Sequence, residues 1–174
     1  MTPTFVPRVT ATVDLSAIRH NLKRVREFAP HSRVMAAIKA DAYGHGAVPV
    51  AAALRQAGVD AFAVAALEEA LTLRQAGVDG PLALLEGVLS LEEAEQASRL
   101  RLEVVVHADW QLRLLLALPA ERPLRLWFKL DSGMHRLGFP LSAARGLMET
   151  MRRRPAWSLA GSPTWPAPTR PTAR

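Results

Sequence analysis

Along the chain, short apolar runs rich in β-branched residues alternate with longer stretches in which apolar positions recur at i, i+3, i+4 and i+7. The short runs are typical of strands, and the longer stretches are typical of helices with one buried face. The predicted strands lie at 9–13, 33–39, 60–65, 82–85, 103–106 and 124–130, and the predicted helices at 16–28, 47–57, 67–76, 90–98, 108–117 and 141–151.

This alternation predicts an α/β fold with a mainly parallel sheet and helices packed on it. Both a TIM barrel and an open doubly wound sheet satisfy the pattern, which does not choose between them. A complete eight-stranded barrel needs about 250 residues, whereas the chain has 174. A barrel here would be an incomplete TIM (β/α)8-type barrel of roughly the first five or six βα units.

Local signals mark the ends of several elements. The segment from Ser90 to Glu93 has the spacing of a capping box before a helix. The heptapeptide Leu-Arg-Gln-Ala-Gly-Val-Asp occurs at 54–60 and again at 73–79, with Gly58 and Gly77 at matching places. We interpret the two copies as similar helix-to-strand junctions, in which each glycine adopts a left-handed conformation after the helix.

Composition narrows the class of protein. The absence of cysteine excludes disulfides, thiolate metal sites and cysteine nucleophiles. No apolar stretch approaches the length of a membrane span, and no signal peptide begins the chain, so we expect a cytoplasmic protein without a membrane partner. The net charge of +6 comes mostly from five arginines in 152–174. Because the rest is nearly neutral, we do not expect a nucleic-acid partner.

Lys39 lies at the carboxyl end of a predicted apolar strand, where α/β proteins build their sites. Lysine amines form Schiff bases with carbonyl groups, although a strand-end lysine that only reaches solvent fits the same position. The next residues favour a site: Tyr43 supplies a phenol, and Gly44 and Gly46 permit close approach of an anion such as phosphate to a helix starting near Ala47. We interpret His45 as a hydrogen-bonding or solvent-facing turn residue.

A second group of polar residues lies at the end of the last predicted strand, between Lys129 and Phe139. Arg136 presents a planar fork of donors suited to a substrate carboxylate, and Lys129 would support it electrostatically or carry a modification. The alternative is a surface strand end with an Asp131–Arg136 ion pair of little energetic weight. The residues alone leave both interpretations open.

The chain resembles the alanine racemase family. The resemblance rests on the opening segment from Thr12 to Leu22 (TVDLSAIRHNL), the Lys39 motif IKADAYGHG, and the segment from Lys129 to Phe139 (KLDSGMHRLGF). It covers about residues 9–161 and implies a pyridoxal-phosphate-binding TIM-barrel domain.

The resemblance also implies roles for individual residues. Lys39 would be the Schiff-base lysine and one of two racemising bases, and Tyr43 would contact the cofactor phosphate. Arg136 and Met134 would lie on the substrate side, and Lys129 matches a lysine that is often carbamylated in the family.

The activity that the resemblance implies is interconversion of L- and D-alanine through a pyridoxal 5'-phosphate aldimine, supplying D-alanine for peptidoglycan. Intact members are homodimers whose second base is a tyrosine from the partner's C-terminal domain. Because Tyr43 is the only tyrosine here, we expect little or no turnover by these 174 residues. A broader amino-acid racemase, a single-domain pyridoxal-phosphate-binding protein without racemase activity, and a non-functional fragment remain alternatives.

The sequence predicts a domain boundary near Gly161. Residues 1–161 would form the truncated N-terminal barrel domain, and residues 162–174 form a Pro/Arg-rich tail without periodicity. One synonymous back-translation of this tail, read in another frame, encodes a segment that resembles the family's continuation. We therefore interpret 162–174 as the product of a shifted reading frame.

Overall fold

The computed structural model describes residues 9–160, which form one six-stranded parallel sheet with helices between its strands. Each strand is hydrogen-bonded to the next in chain order, with every pair parallel. The strands are β1 (Met35–Ala37), β2 (Ala61–Val64), β3 (Leu82–Leu84), β4 (Glu103–Val106), β5 (Leu124–Phe128) and β6 (Trp157–Leu159).

This strand order decides between the two predicted architectures. Parallel crossovers are right-handed, so connections that all advance in one direction place their helices on one face of the sheet. A doubly wound sheet instead reverses its order and carries helices on both faces. The fold is therefore of the TIM-barrel type, as predicted. The helices are α1 (Leu15–Phe28), α2 (Lys39–Gly44), α3 (Ala47–Gln56), α4 (Leu67–Gln75), α5 (Leu91–Arg99), α6 (Asp109–Leu116) and α7 (Ala144–Arg152), with a 3-10 turn at Leu141–Ala143.

The core lies between the sheet and its helices. Cross-strand neighbours such as Phe62 and Leu82, or Val104 and Leu126, are completely or almost completely buried. The alternate row, on the opposite face, holds the small residues Ala63 and Ala83 and then Glu103. Strand alternation thus directs large apolar side chains toward the helices and leaves smaller and polar ones on the inner face.

The predicted junctions and helix start are present. Gly58 and Gly77 have φ values of 82° and 79°. In the two junctions, Arg55 donates to the carbonyl of Val59 at 3.4 Å, and Arg74 donates to that of Val78 at 2.6 Å. Each repeated arginine thus closes its own turn. At α5, the Ser90 hydroxyl accepts from the Glu93 amide at 3.2 Å, while the Glu93 carboxylate accepts from the amide of Leu89 at 2.8 Å.

One strand prediction was wrong, and one strand was missed. Residues 9–13 form no strand, because a strand requires a hydrogen-bonded neighbour and none pairs with them among residues 9–160. Conversely, β6 was missed because it is short and follows Arg152–Arg154. Arg154 donates to the carbonyl of Leu118 at 3.0 Å and lies over the ring of Trp157, which fixes this part of the chain to the barrel.

Within the described part of the chain, no helix combines the length and hydrophobicity needed to cross a membrane. The predicted frame-shifted tail at 162–174 lies outside the described residues.

Candidate active site

Lys39 and Lys129 lie at one edge of the sheet. Lys39 comes one residue after the buried Ile38 at the carboxyl end of β1, and Lys129 directly follows β5. Because the strands are parallel, both carboxyl ends meet at the same edge. In the six-stranded sheet, β2, β3 and β4 separate Lys39 at the end of β1 from Lys129 at the end of β5. Both lysines are half-buried.

The chain after Lys39 forms a left-handed helical turn. Residues Ala40 to Tyr43 have φ between 50° and 54° and ψ between 41° and 51°. This conformation costs a residue with a Cβ roughly 1–2 kcal/mol. None of the four is glycine, so the sequence contained no signal for the turn. Such strain persists only where surrounding contacts determine the backbone.

Hydrogen bonds on both sides of Lys39 hold this turn. The Ile38 amide donates to the carbonyl of Ala63 in β2 at 2.9 Å, and the Ala42 amide donates back to the carbonyl of Ile38 at 2.9 Å. The Ala40 amide donates to the carboxylate of Glu69 on α4 at 2.5 Å. Sequence reasoning did not identify Glu69, and its position in the first turn of α4 was the only signal.

An acidic side chain occupies the start of α3, where the sequence suggested a phosphate. The Asp41 carboxylate accepts from the Ala47 amide at 2.6 Å. The Val50 amide is bonded to the carbonyl of Gly46, and Pro49 has no amide hydrogen. Few backbone amides at the start of α3 are therefore left to bind an anion. His45 places Nδ1 at 2.8 Å from the Ala42 carbonyl, in agreement with a hydrogen-bonding turn residue.

The Tyr43 side chain is available to a ligand. It is 59% exposed, and its hydroxyl makes no hydrogen bond within residues 9–160. A half-buried amine and a free phenol therefore stand four residues apart on one constrained turn. These groups fit an aldehyde cofactor carrying a phosphate, because the amine can form a Schiff base and the phenol can donate to a phosphate oxygen.

The loop after β5 is closed by its own hydrogen bonds. Asp131 accepts from the backbone amides of Gly133 and His135 at 2.9 and 3.0 Å, and it contacts the His135 ring at 2.8 Å. The amide of Phe139 donates to the carbonyl of Lys129 at 2.8 Å. The Asp131–Arg136 ion pair, one of the two interpretations of this loop, is not formed.

The remaining predicted residues of this loop are open to a ligand. Met134 is 75% exposed and Arg136 is exposed. In the described portion of the chain, neither Arg136 nor Lys129 has a hydrogen-bond or ion-pair partner on its side chain. The described residues also contain no cluster of acidic and histidine side chains that would hold a metal ion.

A cavity of about 680 Å³ lies at the opposite edge of the sheet, near the amino ends of β3 to β6. Its lining includes Arg74, Arg101 and Arg125, and none of the predicted site residues contributes to it. In parallel α/β proteins the chemistry is found at the carboxyl ends, so we place the candidate site at the edge that carries Lys39.

Comparisons with known proteins identify the family of this chain. A sequence model described as "Alanine racemase, N-terminal domain" matches residues 13–170. The alanine racemase of Acidithiobacillus ferrooxidans is 44% identical over 153 residues, covering 88% of this chain and 42% of the relative. That of Chromohalobacter salexigens is 55% identical over 129 residues, covering 74% of this chain and 35% of the relative.

The fold agrees as well. A crystal structure of the biosynthetic alanine racemase from Pseudomonas aeruginosa superposes with a TM-score of 0.78 at 44% identity, covering 83% of this chain and 40% of that one. The chain thus spans about two fifths of the length of such relatives. The chain belongs to the alanine racemase family and corresponds to its N-terminal domain.

Proposed function

We propose that this chain binds pyridoxal 5'-phosphate covalently through Lys39 and provides one half of an alanine racemase site. The observation that carries the proposal is the placement of Lys39: half-buried, at the carboxyl end of β1, and followed by a constrained turn that presents Tyr43. The family to which the chain belongs supports alanine as the substrate.

Each residue has a distinct task in this proposal. The bound cofactor supplies an electron sink that stabilises negative charge at the substrate Cα. Lys39 would hold the cofactor through its side-chain amine, and the same amine would move a proton to or from Cα on its own side. Tyr43 donates to the phosphate. Arg136 would hold the substrate carboxylate, with Met134 beside it, and Lys129 in a carbamylated, negatively charged form would support Arg136.

Racemisation also requires a proton donor on the opposite side of Cα, because Lys39 reaches only one side. The chain's single tyrosine, Tyr43, is assigned to the phosphate. We therefore propose a cofactor-binding chain with little turnover in a polypeptide of these 174 residues. A cytoplasmic location, a homodimer and a contribution to D-alanine supply belong to the proposal through the family alone.

The three lysines of the chain, Lys23, Lys39 and Lys129, make a direct test possible. The purified chain is mixed with pyridoxal phosphate, reduced with borohydride, and mapped by mass spectrometry. We expect the adduct at Lys39 and its loss in K39A. The control is K23A, which removes an exposed lysine on α1 and should leave the adduct unchanged.

An adduct that does not depend on Lys39 would refute the proposal. Where the adduct forms, an assay for interconversion of L- and D-alanine distinguishes a racemase from a cofactor-binding protein without activity. Turnover near that of an intact racemase would contradict the argument about the second proton donor.

A further inference from the structure

One carboxylate connects the ends of β1 and β2. Glu69, in the first turn of α4, accepts from the amides of Ala65 and Ala66 through Oε2 at 2.7 and 3.4 Å. Its other oxygen, Oε1, accepts from the amide of Ala40 at 2.5 Å. The first two bonds stabilise the start of α4, as a glutamate at this position of a helix commonly does. The third bond reaches 29 residues back along the chain.

The third bond acts on the backbone of Lys39. The amide of Ala40 belongs to the peptide unit that leaves Lys39, and the amide of Ile38 belongs to the preceding residue, bonded to the Ala63 carbonyl at 2.9 Å. The backbone is thus fixed on both sides of Lys39 by the second βα unit. Since Ala40 is also the first residue of the left-handed turn, the bond to Glu69 holds the entry to that turn.

We propose that Glu69 is a positioning residue for Lys39. By fixing the peptide group between Lys39 and Ala40, its carboxylate sets the direction in which the lysine side chain leaves the backbone. It also offsets part of the strain of the left-handed turn that follows. The inference rests on the proposed function, because it concerns the use of Lys39 as the cofactor lysine.

A glutamine separates this role from helix capping. A carboxylate accepts through both oxygens, whereas a side-chain amide accepts only through its oxygen and donates through its nitrogen. In E69Q the oxygen can satisfy the start of α4, where glutamine serves as well as glutamate. The NH2 group would then face the Ala40 amide, donor against donor. E69Q therefore keeps the cap and removes the bond to Ala40.

The test compares the parent chain with E69Q, E69A and the control E68Q. Glu68 is the neighbouring residue on α4, is exposed, and has no side-chain partner within residues 9–160. Three quantities are measured: hydrogen exchange of residues 40–43 without cofactor, the pyridoxal phosphate concentration that half-saturates the Lys39 adduct, and the urea midpoint of unfolding.

We expect E69Q to raise the half-saturating concentration about tenfold, as for the loss of one hydrogen bond to a charged group, and to accelerate exchange at residues 40–43. Its urea midpoint should fall less than that of E69A, which also loses the cap of α4, and E68Q should match the parent throughout. If E69A does not fold, the comparison of E69Q with the parent chain still tests the positioning role of Glu69. Parent-like adduct formation and exchange in E69Q would overturn the inference and leave Glu69 as a helix cap.

Failure of the proposed function gives a different result. If the parent chain forms no adduct at Lys39, the cofactor proposal is refuted. The exchange of residues 40–43 in the cofactor-free chain then still reports whether the carboxylate of Glu69 holds the turn.

Discussion

The carboxylate of Asp131 lies 2.8 Å from the ring of His135 and also accepts the backbone amide of that residue. The amide of Gly133, followed by the backbone and then the ring of His135, lowers the pKa of the Asp131 carboxyl below its ordinary value of 3.8. Because the charged form is the one that accepts these bonds, the loop carrying Arg136 is held closed whenever Asp131 is ionised.

The first prediction concerns the pH dependence of this loop. Because the pKa of the Asp131 carboxyl is lowered in the folded chain, the ionised carboxylate stabilises the closed loop at pH values above the ordinary pKa of aspartate. This stabilisation is lost as the pH falls through the lowered pKa of the folded chain. NMR titration of the Asp131 carboxyl should give a pKa below 3.8, with faster amide exchange at Gly133 and His135 below that value. In H135A the pKa should stay lowered, because the larger Gly133 contribution remains. An ordinary pKa in the parent chain would contradict the closed loop.

The second prediction concerns two glycines in the same loop. Gly133 and Gly138 have nearly equal φ, 130° and 128°, but a Cβ on Gly138 would lie 2.8 Å from the Asp131 amide nitrogen, whereas one on Gly133 meets nothing within 4 Å. G138A should abolish exchange protection of the Asp131 and Phe139 amides and cost roughly 1–3 kcal/mol more stability than G133A. Equal losses of stability in G138A and G133A would mean that the backbone φ alone causes the loss, without a contribution from the contact at Asp131.

The sequence predicted the repeating α/β order because periodicity is local and each strand follows a clear break. It did not predict that residues 9–13 stay outside the sheet, because a strand needs a neighbouring strand, which the local pattern does not reveal. It also did not predict the short β6. Lys39 and Tyr43 were identified as site candidates from their motif, and their roles stay predictions. The left-handed turn and the contact of Glu69 with Ala40 were not predictable, because they depend on tertiary hydrogen bonds.

The third prediction concerns the loop after β3. The buried Gln111 donates to the Glu86 carbonyl at 2.8 Å and accepts from the His107 amide at 3.0 Å, joining this loop to the end of β4. A Cβ on Gly87 would clash with the backbone carbonyl oxygen of Val105 and would lie 2.5 Å from the Gln111 amide nitrogen. G87A should therefore lower the free energy of unfolding in urea by roughly 2–4 kcal/mol.

The matched control for G87A is G77A. Gly77 has a φ of 79° against 77° for Gly87, and a Cβ there meets no atom within 4 Å. G77A should lower the free energy of unfolding by only roughly 1–2 kcal/mol, the cost of a left-handed conformation for a residue with a Cβ. A loss of stability in G87A no larger than in G77A would show that the Val105 backbone and the Gln111 side chain both move aside without cost.

The fourth prediction concerns the buried carboxylate on the inner face of the sheet. The Glu103 side chain is 4% exposed, lies 3.1 Å from the Arg125 guanidinium, and accepts from the Trp127 indole at 2.8 Å. R125M leaves this carboxylate without its cation and should lower the free energy of unfolding by about 1–3 kcal/mol, less than for a fully buried pair because Arg125 is half exposed.

Adding E103Q to R125M should restore part of that stability. The glutamine is neutral and still accepts from Trp127, so no unpaired charge remains in the sheet. Urea unfolding of the parent, R125M and the double variant at neutral pH measures the difference. If the double variant is no more stable than R125M, the loss in R125M comes from the packing of the Arg125 side chain, and the charge of Glu103 does not explain it.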